Sequence, residues 1–202
     1  MLYNKDNFAI KNFTSESENR PEIAGIFVTQ KETVATDSYV LARVSVENSN
    51  IQDFPEIPNK RIPRGFSSFI LPADKAGDVT KIFNKPNQNL PILDYAVISM
   101  KKDDMVEIGT TDLESYKSVM GKITEGKFPD YKQISVKKGK YNSITVNAKY
   151  LAKIASFLSS FVDQKTDVTI DFPVDPEKPL FFNAKKTTGQ VAEVILMPIR
   201  TT

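Results

Sequence analysis

The sequence predicts an α+β fold assembled from repeated strand–helix–strand–strand–strand units. Three observations carry that expectation. Short apolar or alternating runs bounded by turn residues outnumber the helical stretches. Two amphipathic helices stand out, near 73–84 and 147–162. The segments leading into them follow one pattern, Phe69-Ile70-Leu71-Pro72-Ala73 and Ile144-Thr145-Val146-Asn147-Ala148, which marks an internal repeat.

Residues 1–65 read as a first unit with a reduced helix. Residues 12–19 are polar, only Pro21-Glu22-Ile23-Ala24 suits a brief turn, and strands are expected at 25–30 and 39–46. The stretch 48–65, with Pro55, Pro58 and Pro63, reads as a surface connection, because each proline removes a backbone donor and fixes φ.

A second unit, 66–136, follows. Pro72 suits a helix start, and Ala76, Val79, Ile82 and Phe83 share one face while Asp74, Lys75, Asp78 and Lys81 lie elsewhere. Strands are expected at 95–100 and 105–110. The two units form one domain, 1–136, and the basic run Lys137-Lys138-Gly139-Lys140 separates it from a third unit at 141–202. In that unit Asn147 is a suitable N-cap, and Tyr150, Leu151, Ile154, Phe157, Leu158 and Phe161 make an apolar stripe opposite Lys149, Lys153, Ser156 and Ser160. Strands are expected at 168–172, 180–183 and 190–198.

Composition narrows the chemistry. The chain has 202 residues, 40% of them hydrophobic, enough for a real core. Without cysteine there is no disulfide, thiolate metal site or cysteine nucleophile, and without histidine there is no Ser-His-Asp triad. The 27 Lys+Arg nearly balance 25 Asp+Glu, so any nucleic-acid contact must come from a local face. The first residues lack the pattern of a secretory signal, and no run approaches the ~18 apolar residues of a membrane span, so a cytoplasmic protein without membrane contact is expected.

Two motifs look chemical and fall short. Gly121 to Lys127 fits the first seven positions of a phosphate loop, but Phe128 stands where Ser or Thr must bind magnesium and Pro129 follows where a helix should begin. The acids Asp103, Asp104, Asp163, Asp167, Asp171 and Asp175 lack the spacing of a cation loop and fall mostly at turns. Neither a cofactor nor a metal nor a catalytic residue is expected.

Three distant segments then point to a family. Ala35-Thr36-Asp37-Ser38, Gly126-Lys127-Phe128-Pro129-Asp130-Tyr131 and Leu196-Met197-Pro198-Ile199-Arg200 stand in the order seen in the bacterial DNA polymerase III beta-subunit clamps. The chain resembles a shortened clamp, with 1–136 similar to the middle domain and 141–202 similar to the latter half of the third. An N-terminal domain and a half-domain are expected to be absent. The resemblance implies the DNA-clamp fold and no enzymatic activity. It implies a processivity factor that holds duplex DNA through backbone contacts and docks polymerase or other partner peptides.

The resemblance assigns the peptide groove to Ile23, Thr36, Ser38, Tyr39, Val40, Leu41, Pro129, Ile134, Ile195, Leu196, Met197, Pro198, Ile199 and Arg200. Ser38-Tyr39-Val40 replaces the family's more usual Gly-His-Arg. Clamp helices face the DNA, which makes Lys75, Lys81, Lys85, Lys149 and Lys153 the contact candidates, with Arg20 as a further one. The other reading of these lysines is the solvated face of an amphipathic helix. About three repeat units per chain, against twelve in known rings, imply a homo-oligomer; a tetramer meets that count, with a trimer or dimer as the other options. A different class of function is a non-encircling adaptor, encoded by a mobile element, that competes for clamp-binding peptides.

Overall fold

A computed structural model describes residues 2–17, 19–46, 66–84, 91–134, 143–162 and 167–199. The expected connection at 48–65 and the basic run at 137–140 lie outside these. The chain forms two compact units, Met1–Ile134 and Ser135–Thr202.

The first unit holds two antiparallel sheets. In chain order its strands are β1 (Tyr3–Asn4), β2 (Gly25–Val28), β3 (Glu32–Thr36), β4 (Leu41–Ser45), β5 (Phe69–Pro72), β6 (Tyr95–Met100), β7 (Met105–Thr111) and β8 (Tyr116–Lys122). One sheet runs β4-β3-β2-β5 and the other β1-β6-β7-β8. Their edges meet where Thr124 N donates to Ile70 O at 2.9 Å.

Helix α1 (Asp6–Ala9), continued by a 3₁₀ turn at Ile10–Phe13, α2 (Ala73–Ile82) and the short α3 (Tyr131–Ile134) belong to the same unit. Phe8, Ile10, Ala76 and Val79 join Ile26, Leu71, Ile98, Val106 and Ile108 in a shared core. Burying side chains of this size contributes roughly 1.5–3 kcal/mol each.

Several elements were not placed by the sequence pattern. The helix of the first repeat lies at residues 6–13, ahead of the polar stretch, and the 3₁₀ turn at Pro21–Ile23 is a separate feature. Strand β3 carries polar residues at both ends, yet Thr33, Val34, Ala35 and Thr36 are all buried, so alternation gives no sign of it. Strand β8 is rich in Lys, Ser and Gly, and is held by seven register pairs with β7.

Two close approaches explain small residues. A Cβ on Gly25 would run into Leu71 O of the paired β5, and one on Gly109 would meet the Tyr116 ring lying across the sheet. Asn7 is fully buried and satisfied: its amide donates to Thr33 Oγ1, Val44 O and Ser45 O, and its Oδ1 accepts from Asn4 N at 3.0 Å. It ties α1 to β3 and β4 where an unpaired amide would cost about 1–3 kcal/mol.

The second unit is smaller. Helix α4 (Ala148–Phe161) packs on a sheet of order β11-β10-β9, made of β9 (Thr169–Asp171), β10 (Leu180–Lys185) and β11 (Val191–Leu196). Asn147 caps α4, its side chain accepting from Lys149 N at 2.9 Å. The expected apolar stripe is only partly buried. Ile154 and Leu158 enter the core with Leu180, Phe182 and Leu196, while Tyr150, Leu151 and Phe157 stay exposed because three short strands cover only one side of the helix.

Candidate functional site

In the first unit the turn between β3 and β4 carries Thr36 to Val40. Asp37 Oδ1 accepts from Tyr39 N and Val40 N, both at 2.8 Å, while Thr36 Oγ1 donates to Val40 O at 2.7 Å and accepts from Ser38 N. Ser38 adopts φ 87, the left-handed conformation that favours glycine, and its Oγ accepts from Arg20 at 2.7 Å. Tyr39 points almost wholly into solvent. The backbone N–H groups of Val40 and Tyr39 hold the Asp37 carboxyl below its ordinary pKa. That contribution is present above the unfolded value and is lost as pH falls through the folded one.

Beneath the turn, Ile23 and Leu41 belong to a cluster with Val34, Ile70, Phe128 and Tyr131. The Gly126–Tyr131 segment is therefore anchored by its aromatic residues. Phe128 stacks on Phe27 at 4.9 Å between centroids, and Tyr131 Oη donates to Glu32 Oε1 at 2.6 Å. Arg43 donates to Glu32 Oε2 through two nitrogens, at 2.9 and 2.6 Å, and lies over the Tyr131 ring. Pro129 is half-buried between the two aromatics and lines a mixed polar recess with Phe27, Glu32 and Lys132.

Burial acts to raise the Glu32 carboxyl, but the hydrogen bonds from Tyr131 and Arg43 and the charges of Arg43 and Lys132 outweigh it, so its pKa lies below 4.5. Burial, then Glu32, pushes Tyr131 up to about 12. A depressed carboxylate stabilises the fold above the unfolded pKa and loses that contribution on acidification. Glu32→Gln is thus expected to cost about 1–3 kcal/mol at neutral pH. The deficit should shrink as the pH of a urea melt falls below 4.5; a constant deficit down to pH 3 would refute the charged triad.

In the second unit, β11 ends at Leu196, two residues short of the expected strand, and Met197 to Ile199 follow it. Leu196 is buried, Pro198 half-buried, and Ile195, Met197 and Ile199 exposed. Ile199 N donates to Thr145 O at 2.8 Å, fixing the segment beside the start of α4. A cavity of about 470 Å³ opens here between Tyr150, Lys153, Ile154 and Phe157 of α4 and Val194 to Met197. Tyr150 and Phe157 were expected in the core; they line this cavity. The signal available was their place at one edge of an apolar stripe too wide for a three-stranded sheet.

The assigned groove residues thus fall in two sets, one on each unit. The Ile134 side chain and Arg200 lie outside the described residues.

The cation candidates divide as well. Lys75 stands 3.4 Å from Asp74 and 3.8 Å from Asp78, and Lys81 pairs with Asp78 at 3.0 Å, so α2 presents nearly cancelled charge. Lys149 and Lys153 are exposed on a helix with no acid in its sequence. Arg20 lies against the Ser38 turn, and Lys85 is outside the described residues.

The phosphate-loop-like segment begins in β8 and bridges to β5, with no helix start. Asp103 and Asp104 occupy a turn at φ 57 and 54. Among the described residues no group of three His, Cys, Asp or Glu is placed to hold a metal, and no helix is long and apolar enough to cross a membrane.

The sequence matches no family model and no curated protein. The fold matches solved structures throughout. A DNA polymerase sliding clamp from Pseudomonas aeruginosa superposes with a TM-score of 0.70 at 15% identity, over 100% of this chain and 52% of that one. A clamp from Bartonella birtlesii, solved bound to griselimycin, gives 0.68 at 17% identity over 100% and 51%, and the Bacillus subtilis clamp 0.68 at 16% over 99% and 49%. This chain therefore has the fold of the DNA polymerase III beta sliding clamps, in a form spanning about half the length of the clamp chains it matches.

Proposed function

We propose that the chain is a clamp-like processivity factor without a catalytic step, with 1–136 in the role of a clamp middle domain and 141–202 in that of the latter half of a third. It docks linear peptides of a polymerase or another replication partner and rests on duplex DNA through phosphate contacts. The observation that carries this reading is the apolar cavity beside Met197. Its volume of about 470 Å³ lies in the usual range for ligand sites, ~300–1,000 Å³. Its walls combine two aromatic rings, aliphatic side chains and a pliable thioether, with Lys153 also lining it, and suit one or two apolar peptide anchors. Fluorescence anisotropy with a labelled polymerase C-terminal peptide tests it. Saturable binding abolished by scrambling the anchors is expected, and no binding defeats the reading.

The DNA contact is assigned chiefly to Lys149 and Lys153, since the α2 lysines are paired with acids. Reversing both to Glu should weaken duplex binding at low salt about tenfold or more and lower the log–log salt slope by roughly 2. An unchanged slope would remove α4 from the interface.

The cancelled charge on α2 favours a second reading, a non-encircling adaptor that competes for clamp partners. Retention on closed circular duplex with loss from linear duplex distinguishes a ring from it. Equal retention, or none, supports the adaptor.

A further inference from the structure

The internal repeat equates two helices that meet different surroundings. Ala148 lies 75 positions after Ala73 in the matched lead-in segments, which pairs Ala76 with Leu151, Gly77 with Ala152 and Thr80 with Ala155. In the first unit Ala76 and Gly77 are buried, because α1 and its 3₁₀ extension lie over them. The Lys11 alkyl chain passes 3.5 Å from where a Gly77 Cβ would stand, and Phe8 meets Phe83 at 6.1 Å. In the second unit the same face of α4 is open: Leu151 is 40% exposed, and Ala148, Ala152, Ala155 and Ser159 are exposed.

The first unit thus shows what covers such a face, namely the helix of another strand–helix–strand unit with its own sheet. Among its described residues the second unit has one helix and one sheet, half of that plan. We propose that a second copy of this chain supplies the other half, α4 packing on α4 about a two-fold axis, so that two copies of residues 143–199 build one two-helix, two-sheet unit. This extends the clamp reading to how chains join, yet stands on the repeat and not on the groove.

Charge and shape agree with an antiparallel pair. The open stripe of Ala148, Leu151, Ala152, Ala155 and Ser159 carries no charged side chain, and its small residues allow helix axes to approach to about 8 Å. Both lysines of α4 lie in its N-terminal half, and its last turn holds no basic residue. Antiparallel packing lays each lysine-bearing half along the partner's neutral, partially negative end, whereas parallel packing would bring four lysines together. The open face of Ala148, Ala152 and Ala155 lies across the helix from Tyr150 and Phe157, so pairing leaves the cavity open.

Native mass spectrometry and light scattering of the full chain test this. The wild type is expected at an even number of copies, and Ala155→Glu at half the wild-type mass with an unchanged circular dichroism spectrum. A monomeric wild type, or an Ala155→Glu variant of wild-type mass, overturns the proposal. Because the chain has no cysteine, single cysteines give an independent measurement. Ala152→Cys or Ala155→Cys should oxidise to a disulfide-linked pair, and Ser160→Cys on the far side should not. Absence of a pair at both stripe positions, or equal pairing at Ser160, overturns it whatever the glutamate variant does. Pairing without peptide binding supports this proposal and fails the groove.

Discussion

Replacing Phe128 by alanine is expected to destabilise the first unit by about 3–5 kcal/mol, the usual cost of emptying a buried aromatic site. The ring is 5% exposed, lies parallel to Phe27 at 4.9 Å and touches the cluster of Ile23, Val34, Ile70 and Tyr131. Aromatic pairing adds roughly 0.5–1.5 kcal/mol beyond area burial. The neighbours that remain cannot collapse into the space, because Tyr131 is tethered to Glu32 and the strands beneath are locked in register. Urea unfolding followed by circular dichroism checks this, with a lower midpoint and an unchanged slope. A loss under about 1 kcal/mol would mean that the segment is not packed as described.

The second large effect concerns the cavity of the smaller unit. Tyr150→Ala combined with Met197→Ala should weaken binding of a polymerase C-terminal peptide by about tenfold to a hundredfold, since each side chain supplies an apolar wall worth roughly 1.5–3 kcal/mol when fully covered. The effects should combine less than additively, because both line one space. Stability should barely move: Tyr150 is 61% and Met197 63% exposed, so neither supports the core. Unchanged affinity in a variant with an unchanged melting temperature would end the assignment of this cavity to peptide docking.

Much of the architecture was readable because its helices and most strands carry strong patterns. Asn147 capped the second helix as expected, and α2 and α4 begin within one residue of their anticipated starts. What escaped was written in contacts between distant residues. Strand β3 is buried on both faces, so alternation is absent, and β8 is held by its partner and not by its own hydrophobicity. The N-terminal helix depends on Asn7 reaching β3 and β4.

The docking candidates were legible only as motifs. Periodicity assigns Phe128 and Tyr131 to no element, and the structure shows them as anchors of the segment. Tyr150 and Phe157 have the spacing of core residues; only the narrow sheet under α4 turns them outward. The lysines of α2 looked equivalent to those of α4 until their acidic neighbours were placed beside them.

The turn at Asp37 and Ser38 has a kinetic consequence. Its shape is set by two side chains, Thr36 and Asp37, that close on their own backbone, and it presents the Tyr39 ring outward. Under the proposed docking role, a visiting chain would meet a finished edge and lose little time to reorganising it. Encounter should then be governed by diffusion and residence by the depth of insertion, so partners would exchange through differences in departure rate.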